Sequence, residues 1–184
     1  MKKLIGSMVM FFSGWTYTFP SAYKTDKCVM VAAPHTSNWD FVHTMSFFWK
    51  CEIPIAFFIK DSYTKGVLGA LFRKLGAIGV DRSKNNNLVD YAVTVLGSSN
   101  NMMLLVPAEG TRKRVERWKT GFYHIAQKSK LPIALGYLDY TKKIAGIGSL
   151  FHLSGDFEKD MQGIQEFYKD IPAKHKEFYN TKIY

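Results

Sequence analysis

His35 and Asp40 are separated by four residues, at the point where the apolar run CVMVA ends and the polar stretch HTSNWD begins. Pro34 favours an extended chain before them, and Ser37 or Asn38 can cap a helix that has Asp40 in its first turn. From there the Asp40 carboxylate can accept a hydrogen bond from one imidazole nitrogen and leave the other nitrogen as a base. The pair therefore predicts general-base chemistry, although many purely structural pairs have the same spacing.

A second polar cluster follows the short apolar run Ala77–Val80 and consists of Asp81 and Arg82. Gly76 and Gly79 permit a close approach of the backbone, and the planar guanidinium of Arg82 suits a phosphate group. An ordinary ion pair on the surface would give the same pattern. Alone, this cluster does not distinguish an anion site from an ion pair.

The third cluster follows the most apolar run, MMLLV, and consists of Glu109, Gly110, Thr111 and Arg112. From residue 111 to residue 130 the chain carries seven lysines and arginines against one acid, Glu116. An anion site requires such a density of positive charge, but a solvated surface or an RNA-binding strip would show it too.

Short apolar runs alternate along the chain with segments of helical periodicity. The runs have little internal alternation, which is typical of strands covered on both faces; they are Cys28–Ala33, Ile55–Ile59, Ala77–Val80, Met102–Val106 and Ile133–Leu138. The pattern predicts an α/β fold, a single layered domain with a mostly parallel or mixed sheet flanked by helices. Ligands of such sheets bind at the carboxyl ends of the strands, where all three polar clusters lie.

The C-terminal part of the chain predicts further elements. Ile144–Ile147 and Leu150–Leu153 are expected to be two short antiparallel strands. A helix is expected over 156–171, where one apolar stripe ends at Pro172. The tail beyond this proline is expected to be polar and mobile.

Length and charge limit the possible functions. The 184 residues, 47% of them hydrophobic, predict one domain over 1–184. The net charge of +10 favours anionic partners such as nucleic acid, lipid headgroups or phosphorylated substrates. Within residues 1–20, the apolar stretch Leu4–Trp15 is shorter than the roughly 20 residues of a membrane span. It predicts either a helix lying in the membrane interface or an ordinary helix packed on the domain.

Together the three clusters resemble blocks of the lysophospholipid and glycerol-phosphate acyltransferase family. His35 and Asp40 match its H-x-x-x-x-D block, and Asp81-Arg82 looks like the end of its second block. The run from Glu109 to Arg112 matches its E-G-T-R block, and Leu131-Pro132-Ile133 is similar to its fourth. The sequence departs from the family in two places: threonine rather than proline follows His35, and alanine rather than proline precedes Glu109.

The resemblance implies an activity and a set of site residues. The expected reaction moves a fatty acyl group from an acyl thioester to the hydroxyl of a lysophospholipid or related lyso-lipid, in membrane lipid synthesis. His35 would be the base and Asp40 its orienting partner; the substrate-binding residues would be Arg82, Glu109, Gly110, Thr111 and Arg112. Acyl carrier protein or coenzyme A would carry the acyl group, with no further cofactor, no metal and no nucleic acid. The enzyme would work at the cytoplasmic face of the cell membrane as a peripheral or monotopic protein.

Two other functions are compatible with parts of the sequence. His35, Asp40 and His43 have a spacing that could bind a metal ion for hydrolysis, but this leaves the second and third clusters without a role. A basic protein without enzymatic activity, binding RNA or the membrane periphery through residues 112–130, would account for the charge but not for the His35–Asp40 pair.

Overall fold

The computed structural model describes residues 1–19, 25–81 and 87–184, in which one mixed sheet of seven strands lies between helices. The strands are β1 (Thr16–Thr18), β2 (Lys27–Ala32), β3 (Ile55–Lys60), β4 (Ala77–Val80), β5 (Met102–Pro107), β6 (Ile133–Asp139) and β7 (Ile144–Phe151). The helices are α1 (Lys2–Ser13), α2 (Trp39–Lys50), α3 (Gly66–Lys74), α4 (Leu88–Gly97), α5 (Gly121–Ser129) and α6 (Phe157–Tyr168). The strand order is β1-β7-β6-β2-β5-β3-β4, which confirms the predicted α/β fold.

All strand pairs of this sheet are parallel except β6 with β7. The prediction of two separate strands at Ile144–Ile147 and Leu150–Leu153 was wrong, because β7 continues through Gly148 as one strand beside β6. No turn divides β7. Instead, the register of the β6–β7 pair shifts between Ala134 and Gly136. No pattern predicted β1, whose three residues are all exposed.

The helices form one layer on each face of the sheet. Successive β2 residues point to opposite faces, so Val29 and Val31 pack in the core beneath α4, α5 and α6. Cys28 and Met30 pack on the other side, in a core that includes residues of α1 and α2. Both faces of β2 are therefore buried, which explains its nearly continuous apolar sequence.

Helix α1 packs on the layer and also exposes apolar side chains. Gly6 allows a close approach to α2, since a Cβ at this position would lie 2.5 Å from the carbonyl oxygen of Ser46. Met10 is buried, whereas Phe11 and Phe12 are about four-fifths exposed. Among the described residues, no helix is long and apolar enough to cross a membrane.

The C-terminal tail is packed against the domain, which corrects the prediction of a mobile tail. Ile183 is fully buried, and its carbonyl oxygen accepts a 2.8 Å hydrogen bond from the N–H of Trp118. Asn180 donates from its side chain to the carbonyl oxygens of Val115 and Glu116. The tail therefore holds the basic segment that follows β5.

Candidate active site

Three adjacent strands end at one place on the carboxyl edge of the sheet. In the register of the central strands, Ala32 at the end of β2 lies beside Pro107 of β5 and Gly136 of β6. The loops that leave these strands carry His35, Glu109 and Tyr140. The parallel order β6-β2-β5 thus brings together residues that are far apart in the sequence.

The predicted contact between His35 and Asp40 is present. Helix α2 begins at Trp39, so Asp40 lies in its first turn and its carboxylate points back to the loop. Its Oδ2 atom lies 3.0 Å from Nδ1 of His35 and accepts hydrogen bonds of 2.9 Å from the N–H groups of Thr36 and Ser37. Because a carboxylate oxygen is the acceptor, Nδ1 carries the imidazole proton and Nε2 keeps its lone pair.

Asp40 is ionised in spite of its burial. The residue is only 4% exposed, and burial alone would raise the pKa of the carboxyl group. The hydrogen bonds from His35, Tyr140 and the N–H of Ser37 outweigh this effect and hold the pKa below its ordinary value. The carboxylate can therefore stabilise a positive charge on the His35 ring.

Tyr140 is a site residue that the sequence analysis missed. It follows β6 directly, and its hydroxyl donates a 2.5 Å hydrogen bond to Oδ1 of Asp40. Burial, and to a smaller extent this contact with a carboxylate, raises the pKa of the phenol far above its ordinary value. The hydroxyl therefore keeps its proton. Its position directly after an apolar strand, which it shares with the three clusters, was the one signal that could have found it.

Glu109 joins the third cluster to the first. Its Oε2 atom accepts a 2.7 Å hydrogen bond from the main-chain N–H of His35, while its buried Oε1 atom has no hydrogen-bond partner among the described residues. Burial raises the pKa of Glu109 to about 7, although the contact with His35 opposes the shift. Glu109 therefore supports the backbone that carries the imidazole.

The rest of the third cluster forms an exposed turn. Gly110 has a positive φ of 68°, which a glycine adopts without strain, and its N–H donates to the carbonyl oxygen of Pro107. Thr111 and Arg112 are exposed, and no hydrogen bond or ion pair joins the Arg112 guanidinium to another described side chain. Arg82, the other predicted phosphate ligand, lies outside the described residues. The structure thus brings Asp40 and Glu109 into contact with His35 and leaves Arg112 facing solvent nearby in the chain.

An apolar cavity of about 140 Å³ begins at the His35–Asp40 pair. It continues between the sheet and α2, and its walls include Met30, Phe47, Phe48, Phe57, Leu105 and Leu138. A cavity of this composition excludes water and suits a hydrocarbon chain.

His43 does not join the pair as a third ligand. Its ring stacks on Trp15 with 4.1 Å between the ring centroids, and burial lowers the pKa of its imidazole. Within residues 1–19, 25–81 and 87–184, no group of three His, Cys, Asp or Glu side chains is arranged to hold a metal ion.

Comparisons with known proteins agree with this architecture. A family model described as Acyltransferase matches residues 16–134, a range that includes His35, Asp40 and Glu109. No curated protein matches the chain at a significant level. The fold is similar to the crystal structure of the 1-acyl-sn-glycerophosphate (LPA) acyltransferase PlsC from Thermotoga maritima. That similarity has a TM-score of 0.62 and 16% sequence identity, over 94% of this chain and 80% of the other.

Proposed function

Because this chain belongs to the acyltransferase family, we propose that it moves a fatty acyl group from an acyl thioester to the hydroxyl of a lysophospholipid or related lyso-lipid. The observation that supports this most strongly is the His35–Asp40 hydrogen bond at the opening of an apolar cavity. A base beside a site for a hydrocarbon chain is what acyl transfer to a lipid hydroxyl requires.

In the proposed reaction, Nε2 of His35 accepts the proton of the acceptor hydroxyl while the hydroxyl oxygen attacks the thioester carbonyl carbon. The tetrahedral intermediate that forms carries a negative charge on the former carbonyl oxygen. When it collapses, the carbon–sulfur bond breaks and the leaving thiolate takes the proton from His35. Asp40 stays ionised throughout and stabilises the imidazolium that exists between the two proton transfers.

The acceptor phosphate is proposed to bind at the third cluster. Arg112 has an exposed guanidinium without an ion-pair partner among the described residues, which leaves it free to form two parallel hydrogen bonds with phosphate. The Gly110–Thr111 turn contributes backbone or hydroxyl donors, and Arg82 contributes a second cation. Oε1 of Glu109, which has no hydrogen-bond partner in the described part of the chain, is a candidate acceptor for a hydroxyl of the lyso-lipid.

The apolar cavity is proposed to hold the acyl chain next to the base. The cavity walls include residues of β2, β5, β6 and α2, so the acyl chain would lie within the protein core rather than on its surface. Acyl carrier protein or coenzyme A would deliver the chain as a thioester, and no other cofactor takes part. We place this reaction at the cytoplasmic face of the cell membrane, where the exposed Phe11 and Phe12 of α1 contact the interface.

The substrate class can be tested with the purified protein and a panel of defined donors and acceptors. Acyl-coenzyme A and acyl carrier protein thioesters would each be combined with lysophosphatidic acid, other lysophospholipids and an acylated amino acid, and products identified by lipid mass spectrometry. We expect a diacylated lipid from at least one lysophospholipid. Thioester hydrolysis without any acylated lipid product would contradict the proposed function.

A further inference from the structure

Helix α3 has an apolar side chain surface that faces solvent. Val67 is 92% exposed, Leu68 is 69% exposed and Leu71 is 52% exposed. Tyr63, in the helical turn Asp61–Thr64 before α3, is exposed as well. Single exposed apolar residues are ordinary on protein surfaces, but four neighbours on one short helix and its preceding turn indicate a surface that meets something apolar.

This surface lies in the same helical layer as α1. The Lys2 side chain of α1 donates a 2.7 Å hydrogen bond to the carbonyl oxygen of Lys74 at the end of α3, so the two helices meet at one end. Helix α2, between them, exposes Trp39 and Val42. In the opposite layer, the described parts of α4, α5 and α6 expose only Leu88 and Tyr91 among large hydrophobic residues. Exposed apolar area is therefore concentrated on the α1–α3 layer.

Cations border the apolar surface of α3. Lys60 and Lys65 are exposed on its N-terminal side and Lys74 on its C-terminal side. Of these three lysines, only Lys65 forms an ion pair with an acid in the described part of the chain, and its partner is Asp61. An apolar surface edged by lysines, on a chain of net charge +10, complements a bilayer that contains anionic lipids.

We propose that α3 is a second membrane-contacting helix, and that α1 and α3 together seat the α1–α3 layer on an anionic bilayer. The choice of a bilayer as the partner rests on the proposed function, because a lyso-lipid acceptor reaches the enzyme from a membrane. Phe41, Phe57 and Phe58 line the cavity on the side of α2 and β3. Seating this layer on the bilayer would therefore bring the cavity close to the lipid.

Vesicle sedimentation tests this surface directly. The triple variant Val67→Ser, Leu68→Ser, Leu71→Ser and the single variant Val67→Ser remove apolar groups that the core does not use, so both should fold. The matched control is Leu88→Ser on α4, where the leucine is 44% exposed on the opposite layer. With vesicles of phosphatidylglycerol and phosphatidylcholine, we expect the partition coefficient to fall more than about tenfold for the triple variant. The control should bind like the wild type.

Three results of the sedimentation assay would overturn the α3 proposal. They are wild-type protein that does not sediment with vesicles, a triple variant that binds as tightly as wild type, and an equal loss in the Leu88→Ser control. A triple variant that changes only the oligomeric state of the protein would also overturn it in favour of a protein partner. Acyl transfer to a dispersed short-chain lyso-lipid should be unchanged in the triple variant. If wild-type protein binds vesicles through α3 but transfers no acyl group, the proposed function fails and the membrane surface stands.

Tyr140 contacts the Asp40 carboxylate at a place unrelated to the α3 surface. The two oxygens of the Asp40 carboxylate have different partners: Oδ2 faces His35, and Oδ1 accepts the 2.5 Å hydrogen bond from the Tyr140 hydroxyl. Tyr140 is itself held in place, because its N–H donates to the carbonyl oxygen of Pro172 and its ring packs edge-on against Trp15. The phenol thus fixes the rotation of the carboxylate that orients the base.

The geometry points to Tyr140 as a positioning residue that acts on His35 through Asp40. Tyr140→Phe keeps the packed ring and removes the hydroxyl. Given the proposed function, we expect kcat to fall about tenfold with an unchanged KM for the acceptor. In an Asp40→Asn background the same substitution should have almost no further effect, because the partner oxygen has already lost its charge.

A double-mutant cycle separates this role from a structural one. An equal loss of kcat from Tyr140→Phe in both backgrounds would overturn the positioning role, and so would a wild-type rate in the single variant. If Asp40→Asn loses most but not all of its kcat as expected while Tyr140→Phe behaves like wild type, the proposed function stands and only the role of Tyr140 fails.

Discussion

The main-chain N–H of His35 donates a 2.7 Å hydrogen bond to Oε2 of Glu109, 74 residues further along the chain. The contact is possible because β2 and β5 are adjacent parallel strands whose carboxyl ends lie side by side. Glu109 therefore acts on the base through the backbone, and its own protonation state matters for the stability of the site.

Glu109 should make the stability of the domain depend on pH. Its pKa of about 7 in the folded protein lies above the ordinary 4.5, so between these values the native state keeps a proton that the unfolded chain releases. The free energy of unfolding should therefore fall from about pH 4.5 to about pH 7, with a contribution from this group of about 3 kcal/mol. Glu109→Gln should lack that contribution, and denaturant unfolding across this range would measure it. A difference between variant and wild type that is constant with pH would contradict the assignment.

Replacement of Asp40 should separate catalysis from folding. Asp40→Asn preserves the shape of the side chain but removes the charge that supports the His35 imidazolium. We expect kcat to fall by about a hundredfold or more, with a circular dichroism spectrum like that of wild type. A folded variant with a kcat within threefold of wild type would show that Asp40 has only a structural role.

The sequence predicts local relationships in this site better than distant ones. The His35–Asp40 contact follows from six consecutive residues and the geometry of one helical turn, so the pattern was sufficient to predict it. Tyr140 bonds to Asp40 across 100 positions, and in a chain rich in aromatic residues its only signal is its position directly after an apolar strand.

For the fold too, local patterns are predictable from the sequence and distant contacts are not. Alternating apolar runs and segments of helical periodicity predict the α/β class, because central strands such as β2 and β6 bury both faces. Ile183 follows the polar run Asn180-Thr181-Lys182, and its burial depends on tertiary contacts that include main-chain hydrogen bonds with Trp118 and with the Gln165 side chain of α6.

Loss of Arg112 should affect the binding of the acceptor more than the chemical step. Arg112→Ala removes an exposed guanidinium next to the Gly110–Thr111 turn. We expect the KM for a phosphorylated acceptor to rise about tenfold or more while kcat changes little. Lys113→Ala is the matched control, since it removes an exposed cation from the next position. An unchanged KM in Arg112→Ala, or an equal increase in the control, would refute the specific phosphate role.

The packed C-terminal tail should contribute measurably to stability. Ile183→Ala removes a fully buried side chain that contacts the domain core. We expect a loss of about 2 to 4 kcal/mol in the free energy of unfolding, measured by denaturant titration. Lys182→Ala, which truncates the exposed neighbour, should cost much less. A cost below about 0.5 kcal/mol for Ile183→Ala would indicate a tail that is mobile in solution.

The central claim is that His35 is the base for acyl transfer to a lyso-lipid hydroxyl. Its most direct test is the initial rate of diacyl lipid formation by wild type and by His35→Ala, at saturating donor and acceptor, with products quantified by lipid mass spectrometry. We predict that wild type forms the diacyl lipid and that His35→Ala forms it at least about a hundredfold more slowly while it remains folded. A folded His35→Ala variant that transfers the acyl group at a rate within tenfold of wild type would contradict the account.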